Sequence, residues 1–166
     1  MSLFVSCLLV ALSVFAPAFA QAPRVSAEDL RRLTGARWAG ALVYLDYRSG
    51  KEVSIRSRLT VTESNEGGPS WVFDYEYPDE PKANGRKTWT LGAGGTTIND
   101  ETVVEKTRLG DGTLKVVTER RGKDDDRDAL FRFTYLIAAS RFSVRKEVRP
   151  EGAAEFFERN RYSWER

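Results

Sequence analysis

The sequence predicts an all-β fold: an antiparallel, up-and-down meander of about ten strands closed into a barrel, with one short helix in front of it. Three observations carry this expectation. From Arg37 onward, apolar and polar side chains alternate with a period of two, as in Val53-Ser-Ile55-Arg-Ser57-Arg-Leu59-Thr-Val61. Turn-forming residues interrupt the alternation at short, regular intervals. Only one early segment has helical spacing. Ten strands left as an open sheet would curl and expose long edges, and closure into a barrel removes those edges. A flatter two-sheet sandwich is the competing arrangement.

Residues 1–20 carry no charged side chain, and Leu3 to Phe15 is dominated by Leu, Val, Phe and Ala. The run ends in Ala18-Phe19-Ala20, the small-x-small pattern read by signal peptidase. Pro17 stops it short of the roughly 20 apolar residues that a spanning helix needs. We therefore expect a secretory signal over residues 1–20, cleavage near Ala20, and one mature domain over residues 21–166 in the periplasm or outside the cell. No stable membrane insertion is expected.

Gln21 to Val25 reads as an extended leader. Ser26 has the character of an N-cap, with Glu28 and Asp29 in the first turn of a helix reaching about Leu33. Leu30 and Leu33 give that helix a narrow apolar stripe suited to covering an opening, and Gly35 ends it. Strands are then expected at Trp38–Tyr47 and around Val53–Val61, with Arg48–Lys51 as the hairpin between them. The third is the aromatic row Trp71, Phe73, Tyr75, Tyr77, with Asp74 and Glu76 on its opposite face. Seven more follow: Lys87–Leu91, Thr96–Asn99, Thr102–Arg108, Leu114–Arg121, Ala129–Ile137, Arg141–Val148 and Glu155–Trp164. The acidic run Asp124-Asp-Asp126-Arg-Asp128 reads as a solvated hairpin tip. Its contiguous acids, interleaved with Arg127, lack the spaced oxygen ligands and sharp-turn Gly of a calcium loop.

Composition narrows the chemistry. The chain has no His, and its single Cys, Cys7, falls inside the expected signal. The mature part therefore lacks the residues for a Ser-His-Asp triad, a Cys nucleophile, a Cys/His zinc site or a His- or Cys-ligated haem. No cofactor and no metal site is expected. A net charge of +2 from 26 basic and 24 acidic residues argues against a dedicated nucleic-acid module, which would concentrate one sign.

Leu33-Thr-Gly35-Ala-Arg-Trp38-Ala-Gly40 follows the short helix, and Arg159-Asn-Arg161-Tyr162-Ser-Trp164-Glu-Arg166 closes the last strand. Together these resemble the lipocalin-like barrels of the calycin superfamily, including the ten-stranded fatty-acid-binding and nitrobindin-like variants. The resemblance implies a closed barrel end plugged by Trp38, with an Arg of the last strand, Arg161 or Arg166, stacked across it. The chain departs from those families at several points. Two residues rather than one separate Gly35 from Trp38, and Asn160 stands where an Arg-x-Tyr carboxylate site would begin. The axial His of the haem-binding variants is missing.

The candidate ligand-binding residues are the aromatics that alternation turns inward: Trp71, Phe73, Tyr75, Trp89, Phe133 and Tyr135, with Tyr44 on the first strand. They either fill the core or line a cavity for a small hydrophobic or amphipathic ligand. An interaction protein with a filled core is one alternative reading. The other is an isomerase or lyase drawing on Asp46, Asp74, Glu76 or Tyr75.

Overall fold

Alternation becomes geometry in ten strands, all in one sheet. A computed structural model describes residues 21–64 and 67–166; the expected signal lies outside the described residues. The strands are β1 (Arg37–Asp46), β2 (Lys51–Ser64), β3 (Ser70–Glu76), β4 (Gly85–Thr90), β5 (Thr97–Ile98), β6 (Glu101–Arg108), β7 (Leu114–Asp124), β8 (Arg127–Ile137), β9 (Arg141–Pro150) and β10 (Phe157–Glu165). Their order is β4-β3-β2-β1-β10-β9-β8-β7-β6-β5, and every pairing is antiparallel. The meander is thus cut once, between β4 and β5. A single bridge, Leu91 to Ile98, joins the cut at its lower end. The result is a nearly closed barrel.

The first helix is shorter than its pattern suggested. Helix α1 spans Ala27–Arg31, and Leu33 follows it in a turn. Ser26 and Asp29 form a reciprocal capping box, each side chain taking a backbone N–H of the other. The helix sits under the barrel as a plug. Leu30 and Leu33 are fully buried, and the Val25 N–H donates to Gly95 O at 2.8 Å. Lys106 Nζ donates to Asp29 Oδ2 at 2.6 Å, tying the plug to β6. Among the described residues, no helix is long and apolar enough to cross a membrane.

Two local features set the register of the wall. Gly40 of β1 faces Trp164 of β10, and a Cβ there would lie 1.9 Å from the Ser163 carbonyl oxygen. Only a residue without a Cβ allows this approach. In β10 the pairing with β9 shifts between Glu158 and Asn160, a bulge centred on Arg159. That extra residue directs Asn160, Tyr162 and Trp164 inward and Arg161 outward. The β7–β8 hairpin is tighter than its acidic run suggested. β7 continues to Asp124, and the two-residue turn Asp125-Asp126 adopts left-handed φ of 51° and 62°, as a type I′ turn requires.

Strand length decides where the wall is open. β5 has two residues, so the β5–β6 turn at Asn99-Asp100 stops part-way up the barrel. The turn is pinned by Asn99, whose N–H donates to Thr90 O and whose side-chain oxygen accepts from the Thr90 N–H. Above it, β4 from Gly85 to Thr88 is paired only with β3, and β7 beyond Glu119 only with β8. A window remains between those two strands.

Candidate functional site

The lower half of the barrel is packed solid. Trp38, Trp71, Trp164, Phe73, Phe142, Leu59, Leu114 and Ile137 are all essentially without solvent exposure there, against Leu30 and Leu33 of the plug segment. The Trp38 indole N–H donates to Leu33 O at 2.9 Å, and that of Trp164 donates to Ser57 Oγ at 3.2 Å. Trp38 meets Phe142 edge-on, and Phe142 stacks on Trp164 at 5.3 Å. From outside, Arg166 lies over the Trp38 ring at 4.7 Å while its Nε donates to Ala139 O.

The upper half is hollow. A cavity of about 510 Å³ lies behind the window. Its apolar walls are Tyr75, Trp89, Phe133, Tyr135, Val144 and Tyr162, and its polar lining includes Lys87, Glu101, Arg120, Lys146 and Asn160. The rings form a continuous panel. Tyr75 tilts against Tyr162, Trp89 meets Tyr135 edge-on at 5.1 Å, and Phe133 stacks near Tyr135. Tyr162 and Tyr77 hydroxyls share a hydrogen bond of 2.7 Å.

The upper end of the barrel is bridged. Tyr47, in the β1–β2 turn, donates its hydroxyl to Asp124 of β7, and Arg159 lies over the Tyr47 ring at 4.0 Å. Burial, then the Asp124 hydrogen bond, pushes the Tyr47 phenol up to about 12. With the base plugged and Tyr47 reaching Asp124 at the top, the side window gives a lateral approach to the cavity.

Ionisable groups converge on this space. Glu101 accepts from Thr118 Oγ1 at 2.5 Å and from the Tyr135 hydroxyl at 2.6 Å. Burial raises the Glu101 carboxyl above its ordinary range, an effect that these donors and Arg120 only partly offset. Burial likewise raises the phenols of Tyr75, Tyr135 and Tyr162, so all three stay protonated donors. Lys146 is lowered, first by burial and further by the neighbouring charges of Arg120, Arg159 and Lys87, against the pull of Asp124.

The site residues read from the sequence divide into three groups. Tyr75, Trp89, Phe133 and Tyr135 line the cavity together. Trp71 and Phe73 do not: both are fully buried, Trp71 in the packed base and Phe73 stacked behind Trp89 at 4.0 Å. The β3 row descends into the plugged end, so only its upper members reach open space. Tyr44 is half-buried on the inward face of β1, opposite Val53 and Asn160, and is not part of the lining.

Of the two arginines offered as partners for Trp38, Arg166 takes that place. Arg161 does not, because the bulge at Arg159 turns it outward, where it pairs with Glu158. The acids considered for catalysis also lie elsewhere. Asp46 accepts from Arg48 N–H, Ser49 N–H and Ser49 Oγ in the hairpin turn. Asp74 pairs with Arg86 on the outer face, and Glu76 is exposed.

Sequence reasoning missed Glu101, Arg120 and Lys146. A signal was present: Phe142, Val144, Lys146 and Val148 share one face of a strand, as do Val116, Thr118 and Arg120. A second, outer concavity of about 650 Å³ is lined by Ala39, Ala41, Ser143 and Ser163 of the outward-facing wall. Asp111, Arg141 and Glu165 also line it, but it lies on the outer wall and lacks the panel of stacked aromatic rings found inside the barrel. Compared with known proteins, the chain matches no family model and no curated protein.

Proposed function

We propose that this chain is an exported, lipocalin-like binding protein that holds one small apolar or amphipathic molecule in the upper half of its barrel. One observation carries the reading: the barrel is filled below and left open above, and the open half is walled by aromatic rings and reached through a gap in the sheet. A purely structural barrel has no need of that division. Burying a ligand's apolar surface against such walls stabilises the complex by about 25 cal/mol per Å². Phenols that stay protonated give directional contacts to a polar end. The Trp38–Arg166 stack at the plugged end supports the lipocalin-like assignment, and the leader sequence supports export.

A second reading has one specific observation in its favour. Glu101 contacts Tyr135 inside the same cavity that Lys146 enters, which is the raw material of proton transfer. Native mass spectrometry of protein purified from the cells that make it separates the possibilities. A co-purified small molecule at one per chain supports binding. Conversion of that molecule to a new mass on incubation supports catalysis. A chain that is empty after gentle purification and takes up no hydrophobic molecule contradicts both.

A further inference from the structure

The cavity's charges do not balance, and the imbalance says what kind of molecule fits. Three cations line it, Lys87 from β4, Arg120 from β7 and Lys146 from β9, against two carboxylates, Asp100 and Glu101. Each rests against an aromatic ring. Lys146 Nζ is 4.1 Å from the Phe131 centroid, the Arg120 guanidinium 4.8 Å from the same ring, and Lys87 Nζ 5.9 Å from Tyr75.

The nearby carboxylates are otherwise engaged. Asp100, also on the lining, pairs with Arg120 at 3.7 Å, so the cations left without a carboxylate are Lys146 and Lys87. Asp124 receives the Tyr47 hydroxyl and lies 3.9 Å from Arg159. Glu101 is held by two hydroxyl donors, Thr118 and Tyr135. Among the described residues, Lys146 and Lys87 enter no ion pair. Lys87 is exposed, but Lys146 is half-buried, and an ammonium held there without a counter-ion costs free energy. An incoming anion would remove that cost and would find a field already oriented toward it.

We infer that the ligand of this cavity is an organic anion, its charged group seated among Lys146, Arg120 and Lys87 and its apolar body laid against Trp89 and Tyr135. This rests on the cavity being a binding site and adds the class of molecule bound. The charged group lies at the window, where cations of β4 and β7 flank the gap, so the apolar body enters first. The Asn160 amide sits on the same lining and supplies a neutral donor.

Two probes with the same aromatic body test this: 1-anilinonaphthalene-8-sulfonate, an anion, and N-phenyl-1-naphthylamine, which is neutral. Each is titrated into the folded chain by fluorescence. The wild type should favour the sulfonate by about tenfold or more, and the preference should shrink as salt is added. In Lys146→Met and, separately, Arg120→Met, the ratio of the two affinities should collapse to within about threefold. Using the ratio cancels any general change in the cavity, and circular dichroism confirms that each variant is folded. Equal affinity for both probes in the wild type, or an undiminished ratio in both variants, overturns the charge inference and leaves the cavity reading standing. Binding of neither probe overturns the cavity reading itself.

Discussion

Replacing Lys106 by Met tests whether the short helix is held as a plug by a specific tie rather than by apolar packing alone. Asp29 is nearly buried, with 8% side-chain exposure, while Lys106 retains 27%. Removing Lys106 leaves the carboxylate with only Ser26 donors in a place largely closed to water. Orphaning one member of a buried pair costs about 3–5 kcal/mol, and the partial exposure of Lys106 reduces this to about 2 kcal/mol.

Urea unfolding at neutral pH, followed by tryptophan fluorescence, measures it. The loss should depend on pH. Burial pushes the Asp29 carboxyl up, but the Lys106 and Ser26 hydrogen bonds outweigh it, and the net shift is downward from 3.8. A lowered carboxyl contributes stability above its unfolded value and loses it as pH falls through the folded one. Wild type and variant should therefore converge in acid. The double variant Asp29→Asn/Lys106→Met should recover part of the loss, since no buried charge is then left alone. A cost under about 0.5 kcal/mol for Lys106→Met at neutral pH would refute the tie.

Gly40→Ala should destabilise the barrel by about 2 kcal/mol or more, because the new methyl meets the Ser163 carbonyl of the paired strand; thermal unfolding reports it. Arg166→Ala should cost about 1 kcal/mol in urea through loss of the Trp38 stack and the Ala139 hydrogen bond, whereas Arg161→Ala should stay within about 0.5 kcal/mol. Glu101→Gln should gain stability over wild type as pH rises from acid to neutral. A carboxyl whose folded pKa is raised is at its most stabilising below its unfolded value, near 4.5, and loses that contribution as it ionises. Melting temperatures of both proteins across that range decide the sign.

Much of the fold was legible because a period of two carries both strand and face. The ten strands, the β1–β2 turn and a capped helix with a buried Leu30–Leu33 stripe all follow from local pattern. The open region was less legible. Whether an inward aromatic fills space or borders it depends on its height in the barrel, and alternation does not encode height. Trp71 and Phe73 are therefore indistinguishable from Tyr75 by period, yet they lie in the packed base.

The window arises from the brevity of β5, set by the Asn99 turn, which reads as an ordinary hairpin. Arg161 was ambiguous because one bulged residue, Arg159, inverts every face after it. Lys146 and Arg120 were readable as polar interruptions on apolar faces. What their pattern alone withheld was their convergence, since β4, β7 and β9 meet only in the closed sheet.

The most direct test of a ligand site in the upper barrel is to fill it. Val144 lines the cavity from β9, beside Tyr135 and Tyr162. Val144→Trp adds an indole to the cavity wall and fills the open space. Titration with N-phenyl-1-naphthylamine should show saturable binding at one molecule per wild-type chain. The variant should lose it while keeping the wild-type circular dichroism spectrum. Unchanged binding by a folded Val144→Trp protein would place the ligand elsewhere and contradict the assignment of this cavity.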